Sequence, residues 1–263
     1  MLLASIARKV FPARVRWVIG RLLNGKREPI SYDYQIIQGA ISLGSFEGWC
    51  EPAVAKRQHR IFTLLLHQMH EGKPREDFLA VANAVKMTGL DDPLIVEIGC
   101  GSGWNSEVLT HLLKHPIRYI GLDYSMKMVK LGKQYYPDTP FIAGDATSLP
   151  LRDQSCDVLI SGTVLMHLMD YRKAIEESKR VTRKWCIFHT VPVLQRHATT
   201  LLRKRAYGSW VIEVIFNEEE FCRLIKENGL VIREKLDSIP YDLKEILGEP
   251  TVTKTYLCEI QKV

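Results

Sequence analysis

Three carboxylates stand in or at the end of three short apolar runs: Glu97 in Leu94-Ile-Val-Glu-Ile98, Asp123 closing Tyr119-Ile-Gly-Leu-Asp123, and Asp145 closing Phe141-Ile-Ala-Gly-Asp145. After the first run comes Gly99-Cys-Gly-Ser-Gly103, with glycine at every second position. Trp104 to Leu113 follows, with Val108, Leu109, Leu112 and Leu113 on one helical face. A strand, a glycine turn and a helix open a nucleotide-binding βαβ unit. The glycines let the backbone approach a ligand, and the helix N-terminus offers unpaired N–H groups. Asp123 lies 20 residues after Gly103, the distance at which a carboxylate on the adjacent strand can accept both ribose hydroxyls. A dinucleotide fingerprint needs a third glycine at the sixth position of G-x-G-x-x-G. Counted from Gly99 that position is Trp104, and counted from Gly101 it is Ser106, so that reading fails. Glu97 would instead set a negative charge beside a ligand that carries a positive one.

The acidic-glycine pattern E-x-G-x-G-x-G resembles the first motif of class I S-adenosylmethionine-dependent methyltransferases. The stretch Gly144-Asp-Ala, Leu149-Pro-Leu, Asp157-Val-Leu-Ile-Ser161, His167-Leu is similar to the type 11 branch that includes ubiquinone- and menaquinone-pathway enzymes. The resemblance covers about residues 93–190 and implies S-adenosylmethionine as cofactor. It implies cofactor contacts from Glu97, Gly99, Gly101, Gly103 and Asp123, with Tyr124 and Met128 flanking the adenine and Asp145-Ala146 at its edge. Ser161, ending the fourth strand, and Cys100, inside the turn, are counted with them. Cys100 reads as a small space-filler there, not as a nucleophile.

Methyl transfer requires an acceptor lone pair aligned behind the sulfonium methyl, and a base only where the acceptor must lose a proton. His167, just after the fourth strand, is the first candidate base; a histidine that binds backbone or the methionine moiety is the equal alternative. His189, ending the fifth strand, is the second. Trp49, Gln58, Tyr207 and Glu213 are candidate substrate contacts, each also readable as packing or solvent exposure. His111 and His115 have i, i+4 spacing, but no third ligand is evident and position 112 is Leu, so no metal is assigned. The turn Ser161-Gly-Thr-Val164 lacks the Pro-Pro-aromatic pattern of amino-methylating enzymes, and no basic groove with interleaved aromatics is visible, so no nucleic-acid partner is expected.

These residues call for a Rossmann-like seven-stranded, mostly parallel α/β sheet with the last strand antiparallel and an N-terminal helical cap. The expected organisation is a basic amphipathic segment over 1–30, a helical cap over 31–92 and the methyltransferase domain over 93–263, with a lid insertion over 191–216. Candidate helices are Tyr32–Ile41, Glu51–His70 and Asp77–Lys86. Phe216-Asn-Glu-Glu-Glu-Phe221 opens another, capped by Asn217.

The net charge of +6 resides in residues 1–30, seven basic residues against Glu28, and the rest is formally neutral. The segment 1–25 fits an anionic membrane surface, a transit peptide or an ordinary packed helix. No apolar run reaches the ~18 residues of a membrane span. Six scattered cysteines without C-x-x-C suggest reduced thiols and a cytoplasmic setting, membrane-associated if the leading segment binds lipid. The reading is methyl transfer to a small-molecule acceptor, with a lean towards a lipid-linked or saccharide one. A non-catalytic cofactor-binding protein and an RNA- or protein-methylating enzyme are the alternatives. The acceptor atom and the oligomeric state are left open.

Overall fold

The computed structural model describes residues 30–37, 47–115 and 117–261, so the segment 1–25 lies outside it. The described chain runs β1 (Ser31–Ile36), a 3-10 turn (Glu47–Cys50), α1 (Pro52–His70), α2 (Glu76–Met87), β2 (Leu94–Ile98), α3 (Trp104–Leu113) and β3 (Arg118–Asp123). Then come α4 (Met126–Tyr135), β4 (Phe141–Ala143), β5 (Cys156–Gly162), a 3-10 turn (Leu165–His167), α5 (Tyr171–Val181) and β6 (Thr182–Leu194). The chain closes with β7 (Thr200–Ala206), β8 (Ser209–Asn217), α6 (Glu218–Glu227), β9 (Leu230–Asp237), α7 (Lys244–Leu247) and β10 (Val252–Ile260).

Seven strands lie side by side in the order β4-β3-β2-β5-β6-β10-β9. The first five are mutually parallel, and β10 is antiparallel to both β6 and β9. The last strand is antiparallel, as expected from a β9–β10 connection with little helix; the connection holds only the one-turn α7. Side-chain alternation along each strand divides the core between the two faces of the sheet. Val96, Leu159 and Phe188 pack with Ile175, Phe221 and Ile225 of α5 and α6. Their neighbours Ile95, Val158, Ile160 and Ile187 pack with Phe78, Val81 and Leu109 of α2 and α3. Burial on both faces explains why the central strands read as continuous apolar runs. Each such side chain contributes roughly 1.5–3 kcal/mol of burial.

Three expectations are corrected. The segment expected as the helix Tyr32–Ile41 is a strand over Ser31–Ile36, so the chain before β2 is not a purely helical cap. Residues 191–216 are not a loop lid: β6 continues to Leu194, and β7 and β8 form an antiparallel hairpin. With β1 they make a three-stranded extension, joined to the main sheet where Val193 and Leu194 pair with Phe216 and Asn217. The sheet therefore holds ten strands among the described residues.

Asn217 does cap α6, its Oδ1 accepting from the Glu220 N–H at 3.1 Å. Its Nδ2 donates to the carbonyls of Gln195 and His197, which clamps the β6–β7 connection to the same helix. Asn217→Ala is expected to cost about 1–2 kcal/mol in urea unfolding, with an unchanged m-value. An aspartate at this position keeps the capping oxygen and should recover part of that loss.

Candidate active site

The carboxyl ends of β2, β3, β4 and β5 converge on one cavity of about 600 Å³. Its first half is the glycine turn and its neighbours. Gly101 adopts φ +57°, and a Cβ there would fall 2.2 Å from the Trp104 ring. The Gly101 N–H donates to Asp123 Oδ2 and the Ser125 N–H to Asp123 Oδ1, both at 2.8 Å, so one carboxylate ties two loops together. Burial pushes the Asp123 carboxyl up to about 6, against the pull of those two N–H bonds. Asp145 Oδ1 accepts from the N–H and hydroxyl of Thr147, each at 2.8 Å. Met128 and Ala146 are buried, while Tyr124 is 66% exposed at the rim. Ser125 sits at the N-cap of α4 without capping it; its hydroxyl is buried, lacks a hydrogen-bond partner and borders the cavity.

Not every expected cofactor residue reaches the cavity. Glu97, Cys100, Gly103 and Ser161 stand behind its wall. Glu97 accepts from Asn105 Nδ2 at 2.6 Å and from the Tyr119 hydroxyl, and burial pushes its carboxyl up to about 7. It acts on the site through Asn105, which does line the cavity. Gly162 leaves room for this carboxylate: a Cβ there would come 2.1 Å from Glu97 Oε1. Helix α1 lies over the turn. Phe62 stacks on Trp104 with ring centres 3.8 Å apart, and His59 Nδ1 is 2.8 Å from the Ser102 hydroxyl.

The second half is built from the 3-10 turns, β6 and the β7–β8 hairpin. The ring of Trp49 lies 4.7 Å from that of His167 and 6.0 Å from that of Tyr207. Gln58 and Tyr207 also line this half. His167 Nδ1 is 2.7 Å from the Ile212 carbonyl, which fixes it as the N–H donor and leaves Nε2 with a lone pair. Burial, and secondarily the charge of Lys204, push His167 down to about 3. His189 Nδ1 meets the Thr255 hydroxyl at 2.9 Å and Nε2 the Thr190 hydroxyl at 3.2 Å; burial pushes it down to about 4. His189 does not end its strand. Instead β6 gains one residue against β10 between Phe188 and Val191, a bulge that sets His189 and Thr190 on the cavity wall. Glu213 is behind the wall, 2.9 Å from the Lys204 ammonium and 2.6 Å from the Tyr241 hydroxyl that donates to it.

Sequence reading missed Lys204, Tyr241, Thr190, and the Arg75–Asp77 pair that also lines this cavity. It also missed a backbone signature. Thr163, Thr190 and Tyr207 hold φ of 61°, 55° and 51°, and all three border the cavity. Left-handed conformations at non-glycine residues cost about 1–3 kcal/mol each and gather at functional sites.

Residues 96–188 match a family model described as Methyltransferase domain. A demethylmenaquinone methyltransferase of Paenarthrobacter aurescens is 37% identical over 136 residues, which is 49% of this chain and 53% of that protein. A phthiotriol/phenolphthiotriol dimycocerosates methyltransferase of Mycobacterium tuberculosis is 35% identical over 91 residues, 34% of this chain and 33% of that one. The chain thus spans about half or less of the length of these curated relatives. Among solved structures, a Burkholderia thailandensis 1,6-didemethyltoxoflavin-N1-methyltransferase bound to S-adenosylhomocysteine superposes with a TM-score of 0.55. It is 12% identical, over 87% of this chain and 95% of that one, so it speaks for the fold. By motif, strand order and these matches the chain is similar to S-adenosylmethionine-dependent methyltransferases, and its residues 96–188 are the part that matches the Methyltransferase domain model.

Proposed function

We propose that the protein transfers the methyl group of S-adenosylmethionine to a small, largely apolar acceptor. The observation that supports this most is the continuity of one cavity from Asp123, Ser125 and Asp145 to the chamber under Trp49. The unpartnered, buried Ser125 hydroxyl at the cavity edge beside Asp123 fits a nucleoside there. Asp123 would take the ribose, Tyr124 and Met128 would flank the base with Asp145 and Ala146 at its edge, and the turn from Gly99 would face the amino-acid portion. When bound, the cofactor supplies an electrophilic methyl on a positively charged sulfur. The chain's own residues hold the acceptor, align it and exclude water; α1, through Phe62 and His59, closes over the turn.

His167 serves here as a hydrogen-bond acceptor that orients the methyl-receiving group. An imidazole that takes up a proton only near pH 3 is a poor base at neutrality. His167→Asn should raise the acceptor KM about tenfold or more. The shape of the pH–rate profile between about pH 5 and 8 should stay unchanged, because the lowered pKa leaves the ring neutral throughout. A wild-type limb near 6.5 that vanishes in the variant would make it the base instead.

The names of the relatives, a demethylmenaquinone and a phthiotriol/phenolphthiotriol dimycocerosates methyltransferase, favour a ring-bearing or lipid-linked acceptor over a saccharide. An acceptor of that kind would be met at a membrane surface, with residues 1–25 as the contact. Sedimentation with anionic vesicles, with and without that segment, tests this part. No helix among the described residues is long and apolar enough to cross a membrane. For the activity itself, calorimetry with S-adenosylhomocysteine should give a saturable signal, and methyl-labelled cofactor should label a phenolic acceptor. Binding without product under any acceptor would favour a regulatory protein; absence of binding would reject the reading.

A further inference from the structure

The acceptor half of the cavity contains two cations, a part-buried Arg75 and a buried Lys204, and each is already matched. Arg75 is held by Asp77, with Nε 2.6 Å from Oδ1, between the rings of Phe62 and Phe78. Lys204 is held by Glu213 at 2.9 Å; the side chains are 5% and 0% exposed. Its ammonium also lies 5.6 Å from the centre of the Tyr34 ring and 5.4 Å from that of Tyr241. The Tyr241 hydroxyl donates to the same glutamate and is a distant 3.4 Å from the ammonium. Among the described residues no other Lys or Arg borders the cavity. This half is therefore electrically balanced, and the cofactor half adds the negative Asp123 and Asp145.

A buried ion pair is rarely the most stable filling of its space: apolar side chains of equal volume do as well or better. Lys204 nevertheless stands on the wall of a chamber that joins Trp49, Met166, Tyr207, Ile212 and Ile239 to the uncharged polar Gln58, His189, Thr190 and Thr253. An ammonium has three N–H donors. Glu213 Oε1 stands at ion-pair distance without hydrogen-bond geometry, and the Tyr241 oxygen accepts at most one weak bond at 3.4 Å, so donor capacity remains on the ammonium. His167 Nε2 offers the opposite polarity, a lone pair, in the same chamber.

Resting on the methyl-transfer reading, we infer that Lys204 receives an uncharged oxygen of the acceptor, a hydroxyl or carbonyl on a flat apolar body, and that Glu213 excludes acidic acceptors. A carboxylate or phosphate brought to Lys204 would meet the Glu213 charge beside it with no net cation to offset its desolvation. A neutral oxygen meets no such penalty and gains a charge-assisted hydrogen bond. Lys204 is thus a positioning and specificity residue, and Glu213 sets its selectivity.

The test is binding of three probes of nearly equal shape, naphthalene, 1-naphthol and 1-naphthoate, to the full chain saturated with S-adenosylhomocysteine at pH 7. The wild type should bind 1-naphthol about tenfold or more tighter than either of the others. Lys204→Met should erase the preference of naphthol over naphthalene. Glu213→Gln should reverse the selectivity, strengthening 1-naphthoate about tenfold or more, an effect that a merely structural pair would not produce. The double variant K204M/E213Q removes both charges and should behave like K204M, which guards against loss of folding in the single variants. Wild-type preference for 1-naphthoate, naphthol preference retained without Lys204, unchanged naphthoate binding in folded E213Q, or no binding of any probe would each overturn the inference. S-adenosylhomocysteine affinity is read separately: its absence sinks the methyl-transfer reading, while its persistence with failed probe results sinks only this one.

Discussion

Gly101→Ala is expected to abolish cofactor binding in a chain that still folds. At φ +57° an alanine pays about 1–2 kcal/mol of left-handed strain, and its Cβ would sit 2.2 Å from the Trp104 ring. The ring cannot retreat freely, because Phe62 is stacked on it at 3.8 Å. The turn must shift instead, which breaks the 2.8 Å bond from the Gly101 N–H to Asp123. That carboxylate is the expected ribose partner, so the loss falls on binding. Calorimetry should show S-adenosylhomocysteine affinity down on the order of a hundredfold or more, with far-UV circular dichroism retained. Near-wild-type affinity would show that the turn does not hold the cofactor.

A second large effect is in the pH dependence of stability. Burial raises Glu97 from 4.5 to about 7 and Asp123 from 3.8 to about 6. Both carboxyls hold their protons more tightly in the folded chain than in the unfolded one. The folded state therefore binds more protons between about pH 4 and 7, and stability falls as pH rises through that window. For Glu97 the change amounts to roughly 3 kcal/mol, complete once pH passes the folded value. Glu97→Gln should flatten much of the slope of unfolding free energy against pH, leaving the smaller Asp123 part. A cationic ligand in the cavity favours the ionised forms and should flatten it too. Urea titrations from pH 5 to about 8 on the empty protein, the variant and the cofactor complex read all three. A slope in E97Q equal to the wild type would place the ionisation elsewhere.

The sheet was legible because its signals are local. An apolar run with a carboxylate at or near its end, then glycine or serine, then a 3.6-residue period, marks the strand-to-helix junctions after β2 and β3, and a third apolar run closes on Asp145. Asp123, Asp145, Met128 and Ala146 follow from those junctions and do border the cavity. Glu97 has the right position in the motif, but sequence cannot show that it turns inward to Tyr119 and Asn105. The acceptor wall was much less readable. Arg203-Lys204-Arg205 looks like a basic loop until residues 200–206 are recognised as a strand. Alternation then separates them: Lys204 turns inward to Glu213, while Arg203 and Arg205 lie over the Trp210 ring at 5.0 and 4.7 Å. The bulge at Thr190 depends on pairing with β10, about 65 residues away, and no local pattern announces it.

Where β6 outlasts its expected end, Val193 is flanked on one side by Val252 of β10 and on the other by Phe216 of β8. The nucleoside half and the acceptor half thus share an uninterrupted backbone splint. Swinging the hairpin outward would tear a ladder held from both flanks, so that wall behaves as a fixed jamb. On the opposite margin the cavity is bordered by Ile30, by Trp49 and Cys50 of the first 3-10 turn, and by Gln58 and Phe62 of α1.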